Sequence, residues 1–481
     1  MYLKMRNEDK LISDILHILN ENNSVISGSI VGSVKDKSFE EISDIDIVAI
    51  TNKISFEIID SIKTSLLSLK PSDYDLDLNF KVNDTFGPLK FDNPKELYFH
   101  LMVYDLKGHI QHVVQSPFTC FDWDRTDLVS KVSLPDIFSA KRLMLNDFLS
   151  SRRGIYDYIS DLTNKQISFR SYKENEKGEI FQEKQYLDID SKHMIEYCFH
   201  ILKNSITNLI KFIENRNERY EEDQFLQKWK SNFPVLYDKY SKLFLEISSK
   251  KKLKDFNSSI SEKSIVNFLD DFYSEVKNYY DKSEKIILVR HFETELNDGR
   301  LYGQNNEGSI QVSSELPESI LKMNLESYEY FVSPLNRALQ TYKVFNLEND
   351  PKIDKKLLEI NYGKAEGLFF QEFIEKYPEF KSSIEREDDF RYPEGENYED
   401  MHKRINELMK SLDKDTFLIT HQGPIRVLLG KLFNLKYGEM YKLQIPHGQP
   451  IEVIKIENTL YPNLSREVYF EIFKNFSFNN E

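Results

Sequence analysis

The sequence predicts a multi-domain protein, with an α+β domain first, a helical region in the middle, and a three-layer α/β domain with a mostly parallel sheet last. Two observations predict this order. The 481 residues exceed the roughly 100 to 200 residues of one ordinary domain. The periodicity of the apolar residues also changes twice along the chain, which separates three regions. The predicted domains are residues 1–133, 134–280 and 283–481.

The composition excludes several classes of protein. Hydrophobic residues make up 40% of the chain and charged residues 30%, a balance typical of globular domains. The formal charge of −15 repels a nucleic-acid backbone, so nucleic acid is not an expected partner. No stretch approaches the about 18 apolar residues of a membrane span, and no membrane partner is expected.

The compartment follows from the cysteines and the first residues. Cys120 and Cys198 cannot form a disulfide framework, which favours a reducing environment. Residues 1–23 form an amphipathic helical pattern with charges throughout, unlike the apolar core of a secretion signal. We therefore expect a cytoplasmic protein.

The first region combines an opening helix with short strand patterns at residues 45–50 and 74–82, which predicts an α+β domain. The second region is dominantly helical, because apolar residues recur there at steps of three and four. Polar runs at residues 173–184 and 248–254 predict loops, and residues 278–285 predict a linker.

The third region alternates helices with strands at residues 285–289, 330–332 and 416–420, which predicts a mostly parallel sheet covered by helices on both faces. Ligands of such sheets lie at the carboxyl ends of the strands. His291 and His421 each follow a predicted strand directly. The two imidazoles are therefore expected to meet over one pocket.

The residues around these histidines suit phosphoryl transfer. Arg290 precedes the first histidine, and Arg337 lies at a predicted helix start. Guanidinium groups and a second imidazole can compensate the charge of a transferring phosphoryl group without a metal. A neutral His291 can attack phosphorus, and Glu359 is the predicted acid that gives the departing alkoxide its proton.

The third region resembles the histidine phosphatase superfamily over roughly residues 285–468. Four segments carry the resemblance: RHFETELN at 290–297, SPLNRALQT at 333–341, LEINYGKAEG at 358–367 and THQGPIR at 420–426. The resemblance implies a nucleophile at His291, a proton donor at Glu359 and no metal cofactor. It implies that Asn297 helps to hold the phosphate, and that the remaining residues form the phosphate pocket: Arg290, Arg337 and His421.

The segment after residue 365 is similar to the short cap of the phosphatase branch, so hydrolysis of a phosphorylated small molecule is expected. Three residues depart from the family pattern: Phe292, Leu296 and Gln422. Phe292 and Gln422 stand where glycine is usual. Two alternatives remain open, namely that the histidines are ordinary loop-end residues or that an intact site has lost activity.

A second candidate site lies near the N-terminus. Asp44 and Asp46 alternate on a predicted strand, so both carboxylates point to one face. Paired carboxylates suit Mg²⁺, and a third carboxylate would complete a two-metal site. Asp77 is the predicted third ligand, with Asp75 as the alternative. Gly32 allows close backbone approach, and the hydroxyl of Ser33 can hold a triphosphate.

This pattern resembles the DNA polymerase β-like nucleotidyltransferase superfamily. The resemblance implies that Asp44 and Asp46 bind Mg²⁺, that Gly32 and Ser33 contact phosphate, and that the third aspartate activates an acceptor hydroxyl. The implied partners are an NTP and a small-molecule acceptor. His100, His109 and His112 fit no standard metal spacing and are interpreted as structural residues.

The combined prediction is a bifunctional enzyme with a C-terminal phosphatase and an N-terminal nucleotidyltransferase. One alternative is a single phosphatase with a silent nucleotide-binding domain. Another is a regulator that modifies protein or RNA. The sequence leaves open the base preference, the acceptor, the phosphorylated substrate and the oligomeric state.

Overall fold

The computed structural model describes most of the chain, namely residues 6–32, 34, 44–87, 93, 95–253, 255, 260–295, 298–306, 308–311, 316–346 and 349–478. The chain divides into two compact units. Unit 1 comprises residues 1–143, 147–276 and 477–481, and unit 2 comprises residues 144–146 and 277–476. The first two predicted domains thus lie largely in one unit, and the predicted boundary at residue 133 stays a prediction.

Unit 1 contains a five-stranded sheet and a separate two-stranded hairpin. The sheet order is β3-β4-β2-β1-β5, with β1 antiparallel to β2, while β2 and β3 both run parallel to β4. The strands are β1 (Val25–Val31), β2 (Asp44–Thr51), β3 (Asn79–Asn83), β4 (Glu96–Asp105), β5 (Val129–Lys131), β6 (Gln166–Glu174) and β7 (Ile180–Asp188).

The helices of unit 1 supply most of its remaining structure. They are α1 (Asn7–Glu21), α2 (Phe56–Leu67), α3 (Leu106–Gln115), α4 (Pro117–Trp123), α5 (Leu134–Ile137), α6 (Asp147–Ser150), α7 (Ile155–Asn164), α8 (Ser191–Glu214), α9 (Glu222–Asn232), α10 (Pro234–Lys252) and α11 (Glu262–Lys282), of which the last six residues belong to unit 2. A 3₁₀ helix spans Pro71–Tyr74.

Alternating burial explains why β2 presents its acidic side chains. Ile45 and Ile47 are buried in the core that the sheet shares with α1 and α2, whereas Asp44 and Asp46 remain partly exposed. Because successive side chains of a strand point to opposite faces, the two aspartates share one face of β2. The predicted strand at residues 45–50 is confirmed.

Three predictions for the middle of the chain are wrong. The polar run at residues 173–184 belongs to the antiparallel hairpin of β6 and β7, not to a loop. Residues 248–252 continue α10, and residues 278–282 continue α11, which leaves one residue, Ser283, before β8. The helical periodicity at residues 194–212 is confirmed, because α8 covers it.

Unit 2 contains a six-stranded sheet in the order β10-β9-β11-β8-β12-β13. Its strands are β8 (Glu284–Arg290), β9 (Glu329–Val332), β10 (Lys352–Ile353), β11 (Thr416–Thr420), β12 (Pro450–Ile456) and β13 (Thr459–Pro462). The four strands β8 to β11 run parallel, and β12 and β13 form the antiparallel edge. The mostly parallel sheet is confirmed.

The helices of unit 2 connect these strands as predicted for an α/β fold. They are α12 (Glu318–Leu321), α13 (Asn336–Val344), α14 (Phe370–Lys376), α15 (Glu379–Glu385), α16 (Tyr398–Ser411), α17 (Gln422–Leu432), α18 (Tyr437–Met440) and α19 (Arg466–Phe473). Short 3₁₀ helices span Leu325–Ser327, Lys355–Leu357, Gly363–Ala365 and Lys474–Phe476. Among the described residues, no helix combines the length and apolar character needed to cross a membrane.

Candidate functional site

The sheet of unit 2 brings its two strand-end histidines together. β8 and β11 are parallel neighbours, and Arg290 pairs in register with Thr420. The next residues, His291 and His421, therefore leave the sheet side by side, since neighbouring strands lie about 4.8 Å apart. Their ring centroids are 5.1 Å apart. The predicted meeting of the two imidazoles is confirmed.

Hydrogen bonding determines which nitrogen of His291 is available. Its Nδ1 lies 2.7 Å from the carbonyl oxygen of Phe292. A carbonyl oxygen only accepts, so Nδ1 carries the proton and Nε2 keeps its lone pair. The ring is buried, with 6% of the residue exposed. His291 thus offers a fixed, unprotonated Nε2 in a pocket that largely excludes water.

His421 is held between an arginine and a serine. Arg337 donates from Nε to Nδ1 of His421 at 3.2 Å, so the ring proton lies on Nε2, which is 2.7 Å from Oγ of Ser333. The other nitrogens of Arg337 donate to the carbonyls of Gly303 and Asn305 at 2.7 and 3.0 Å. These bonds fix the guanidinium beside the two histidines.

Arg290 carries a buried donor that no described group satisfies. One terminal nitrogen donates to the carbonyl of Ile445 at 2.8 Å, whereas Nε is buried and has no hydrogen-bond partner among the described residues. Burial lowers the pKa of Arg290 to about 10, although the charge of Glu359 opposes this shift. An orphaned cationic donor of this kind is a natural contact for an anion.

The side chain of Glu359 lies against the amino end of helix α17. Its Oε1 accepts from the amides of Ile360 and Gly423 at 2.8 and 3.0 Å. Gly423 permits this approach, because a Cβ there would lie 2.2 Å from Oε1 of Glu359. The residue is 9% exposed. Its charge acts to raise the pKa of both Arg290 and Arg337. The predicted proton donor therefore lies in the same pocket as the predicted nucleophile.

The pocket keeps its histidines neutral. Burial, followed by the positive charge of Arg337, holds the pKa of His291 well below 6.5, and the charge of Arg290 adds to this. The same causes hold the pKa of His421 well below 6.5. Protonating either ring would place a cation beside two guanidinium groups in a site of low dielectric constant. At neutral pH both imidazoles are uncharged.

This pKa shift predicts an unusual acid limb for any reaction at His291. Since the unprotonated ring is the reactive form, kcat/KM for an aryl phosphate, whose leaving group needs little proton donation from Glu359, should not decline as the pH falls through 6.5 and should decline only at clearly lower pH. The measurement is a pH profile of aryl phosphate hydrolysis by the wild type, corrected for ionisation of the ester. A decline with a midpoint at 6.5 would contradict the buried, arginine-flanked environment.

His447 is a third histidine of this pocket that sequence reasoning missed. It lies three residues before strand β12 begins at Pro450, and its Nδ1 donates to the backbone carbonyl of His291 at 2.8 Å. The two rings lie 5.3 Å apart. Burial lowers the pKa of His447 to about 4. Its only signal in the sequence is its place just before a strand that borders β8.

The departure at Phe292 is accommodated by a glycine. Gly448 has φ of +67°, and a Cβ there would lie 2.5 Å from the Phe292 ring. The ring also stacks on Phe345 with centroids 5.8 Å apart. Phe292 therefore packs into the unit while its carbonyl still accepts from His291. Asn297, predicted to help hold phosphate, and Leu296 lie outside the described residues.

The acidic face of β2 forms a second candidate site, in unit 1. Asp44, Asp46 and His100 form a group whose possible ligand atoms all lie within 4.8 Å of one another. Gly32 has φ of +81°, and a Cβ there would lie 2.9 Å from Oδ2 of Asp46. Gly32 therefore lies beside Asp46, and its contact with phosphate stays a prediction. Ser33 lies outside the described residues.

The expected position of Asp77 is corrected by the sheet order. Strand β4 lies between β2 and β3, and Asn83 of β3 is level with His100 and therefore with Asp46. Asp77 precedes β3, whose first residue is already roughly 13 Å along the sheet from that level, at about 3.3 Å per residue. Asp75, the alternative, accepts from Asn7 at 2.8 Å. Neither residue belongs to the cluster.

Of the three histidines interpreted as structural, two are core residues. His109 and His112 on α3 are buried, and His112 stacks on Tyr104 with ring centroids 5.1 Å apart. Burial lowers the pKa of His109 to about 4 and that of His112 to about 3. His100 differs, because it lies against the carboxylate of Asp46.

Most of unit 2 matches a known protein family. Residues 286–460 match the histidine phosphatase superfamily (branch 1). This range includes His291, Arg337, Glu359 and His421, and it begins within β8 and ends within β13.

Three similar proteins illustrate the match. The 6-phosphofructo-2-kinase/fructose-2,6-bisphosphatase 3 of Homo sapiens is 28% identical over 202 residues, which cover 40% of this chain and 38% of that protein. Isoform 4 of Rattus norvegicus is 29% identical over 175 residues, covering 35% and 37%. The solved structure of TTHB049 from Thermus thermophilus is 26% identical, covers 36% of this chain and 97% of that one, and gives a TM-score of 0.29.

Proposed function

Because residues 286–460 form a histidine phosphatase domain, we propose that unit 2 hydrolyses phosphate monoesters through a phosphohistidine on His291. The single observation that carries the proposal is the state of this ring. Its Nε2 lone pair is available while Nδ1 is tied to the carbonyl of Phe292. Arg290, Arg337 and His421 surround it as the phosphate pocket.

The first step forms one bond and breaks another. Nε2 of His291 attacks phosphorus in line, and the ester P–O bond breaks as the N–P bond forms. Arg290 and Arg337 compensate the charge on the equatorial oxygens, and the orphaned Nε of Arg290 is a donor available for this purpose. The alkoxide leaves with a proton from Glu359.

The second step regenerates the enzyme. Water attacks phosphorus, the N–P bond breaks, and inorganic phosphate departs. Glu359, deprotonated in the first step, accepts the proton of the attacking water. The amides of Ile360 and Gly423 hold the carboxylate in one place for both transfers. Asn297, by resemblance alone, is proposed as a further phosphate contact.

The proposed substrate class is a phosphorylated small molecule. The similar human and rat proteins are named as fructose-2,6-bisphosphatases, a name that denotes a small sugar phosphate as the substrate. The match spans 38% of the human protein's length, so no kinase activity is proposed for this chain.

The test of this proposal is hydrolysis under chelation. Purified protein should release phosphate from members of a panel of phosphomonoesters at an unchanged rate in excess EDTA, because arginines and imidazoles supply the charge compensation. Phosphate release is measured with and without the chelator. Loss of activity that returns on adding back a metal would contradict the proposed metal-independent mechanism.

A second activity is proposed for unit 1, namely transfer of a nucleoside monophosphate from an NTP to a small-molecule acceptor. The observation that favours it is the pairing of Asp44 and Asp46 on one face of β2 beside Gly32. Two adjacent, partly exposed carboxylates fit a divalent ion such as Mg²⁺, which would supply charge compensation for phosphate oxygens when bound. Gly32 and Ser33 are the proposed phosphate contacts.

Mass spectrometry of a cell metabolite extract tests this second activity. The extract is incubated with mixed NTPs and Mg²⁺ and with wild type, His291→Ala or the double variant Asp44→Ala/Asp46→Ala. We expect a nucleotidylated small molecule that is absent only with the aspartate variant. Label transferred to protein or RNA would instead identify a regulator, and no transfer at all would leave unit 1 as a silent binding module.

The proposed location is the cytoplasm. The chain has only two cysteines, Cys120 and Cys198, which suits a reducing compartment.

A further inference from the structure

His100 occupies the place beside Asp46 where a third ligand would lie. Strands β2 and β4 are parallel neighbours, and Asp46 pairs in register with His100. Side chains at paired positions of neighbouring strands point to the same face of a sheet. Nδ1 of His100 lies 2.8 Å from Oδ1 of Asp46.

A backbone carbonyl orients the imidazole for this role. Nε2 of His100 lies 2.7 Å from the carbonyl oxygen of Thr85, so Nε2 carries a proton. Nδ1 donates to Oδ1 of Asp46, and an ion that binds here would displace this proton, after which Nδ1 presents a lone pair. Metal-binding histidines usually donate their second N–H to such a carbonyl, which fixes the ring and its tautomer. The residue is 7% exposed, so the ring has little freedom to turn away.

The spacing of the group suits one small ion. Ligand atoms around an ion with bonds of about 2.1 Å stand roughly 3 to 3.5 Å apart. The pair of Asp46 and His100 is already at 2.8 Å, and the third ligand atom, on Asp44, lies within 4.8 Å of both. Asp44 and Asp46 remain partly exposed, which leaves one side open to water or a phosphate oxygen.

The chemistry of this group differs from that of a three-carboxylate site. In the part of the chain that the structure describes, the group holds two carboxylates and one imidazole. Oxygen ligands alone suit Mg²⁺, whereas an imidazole nitrogen suits first-row divalent transition-metal ions better than Mg²⁺. A site with one nitrogen ligand and two oxygen ligands therefore discriminates against Mg²⁺.

We propose that Asp44, Asp46 and His100 bind one divalent transition-metal ion, such as Mn²⁺ or Zn²⁺, in preference to Mg²⁺. The inference rests on the proposed metal binding by the two aspartates, and it replaces Asp77 by His100 as the third ligand. The inference concerns the identity of the ion and does not depend on which acceptor unit 1 uses.

Direct binding of metal to the full-length protein tests the inference. Calorimetry with Zn²⁺ and Mg²⁺, and electron paramagnetic resonance with Mn²⁺, measure affinity and stoichiometry. We expect His100→Ala to weaken Mn²⁺ and Zn²⁺ by about tenfold or more, since even an outer partner of a ligand is worth that much. His193→Ala is the control, because His193 is paired with Asp190 elsewhere in unit 1. This variant should leave metal binding unchanged.

The variant His100→Asp sharpens the test. A carboxylate oxygen of aspartate is separated from Cα by the same number of bonds as Nδ1 of histidine. The change should therefore shift the selectivity of the site toward Mg²⁺ by about tenfold or more. Asp44→Asn, at the partly exposed start of β2, should also weaken Mn²⁺ and Zn²⁺ and serves if His100 variants do not fold. Circular dichroism of every variant checks folding.

The outcomes separate this inference from the proposed function. Binding of Mg²⁺ as tight as that of Mn²⁺, with no effect of His100→Ala or His100→Asp in folded protein, would overturn the inference and leave the proposed Mg²⁺ site standing. If no divalent ion binds to folded wild-type protein, both the inference and the metal-dependent second activity fail. The inference is supported if His100→Ala and Asp44→Asn lose affinity for Mn²⁺ and Zn²⁺ while His193→Ala does not.

Discussion

Replacing His291 by alanine should lower phosphate ester hydrolysis by about four orders of magnitude or more, because the proposed phosphorylated intermediate forms on this ring. The proposed nucleotide transfer by unit 1 should be unchanged. The variant removes the Nδ1 bond to the carbonyl of Phe292 but leaves the backbone bond from His291 to Thr420. The pocket should therefore keep its shape.

Labelling with a ³²P-ester, quenched in alkaline denaturant, provides the direct readout. Wild type should carry an acid-labile, base-stable label, and His291→Ala should carry none. His402→Ala is the matched control, since His402 is a half-buried histidine of helix α16 whose charged neighbours are Lys431, Glu399 and Lys410. Retention of hydrolysis above the expected residual level in folded His291→Ala would remove this residue from the nucleophilic role.

Replacing Glu359 by glutamine should produce a loss that depends on the leaving group. For an alkyl phosphate, kcat/KM should fall by about 100- to 10,000-fold, since the departing alkoxide no longer receives a proton. For an aryl phosphate with a weakly basic leaving group, kcat/KM should fall by about tenfold or less. The two esters are compared under identical conditions, because kcat/KM reports the steps up to P–O cleavage.

The same variant reports on the second step. Without a base for water, phosphoenzyme should accumulate, and the aryl ester should show a burst of product followed by slow turnover. Glu399→Gln is the matched control, because Glu399 forms a partly exposed ion pair with Lys431 on α16 and α17, and such pairs contribute little. Equal losses for both esters without a burst would exclude Glu359 as the proton donor.

The site of unit 2 was largely predictable because local patterns determine it. β8 and β11 are continuous apolar runs that end at histidines, and parallel strands deliver their following residues to one edge of the sheet. The register of Arg290 with Thr420 then determines which side chains meet. His447 was missed because it follows no strand and reaches the pocket through a loop before β12.

The place of His100 beside the aspartates of unit 1 was not predictable, because strand order is a long-range property. The pattern around Asp77 resembles a strand with alternating acids, but the chain forms a 3₁₀ helix at Pro71–Tyr74 and begins β3 only at Asn79. The insertion of β4 between β3 and β2 depends on packing across the whole sheet. Sequence spacing alone gives no information about that insertion.

The hairpin of β6 and β7 was mistaken for a loop for a related reason. Most side chains of β7 are exposed, so no buried face enforces an alternation of apolar and polar residues. Backbone pairing over nine registered positions holds the hairpin instead, and pairing leaves no trace in composition.

The contact of Phe292 with Gly448 constrains which residues can replace each other at these two positions during evolution. The ring fills the volume that a side chain at 448 would need, so neither position can change freely while the other stays as it is. A glycine at 292 would release that space, after which residue 448 would be limited only by its backbone angle. Among aligned relatives, we expect a bulky residue at the first position to occur together with glycine at the second, and a survey that finds the two independent would contradict this coupling.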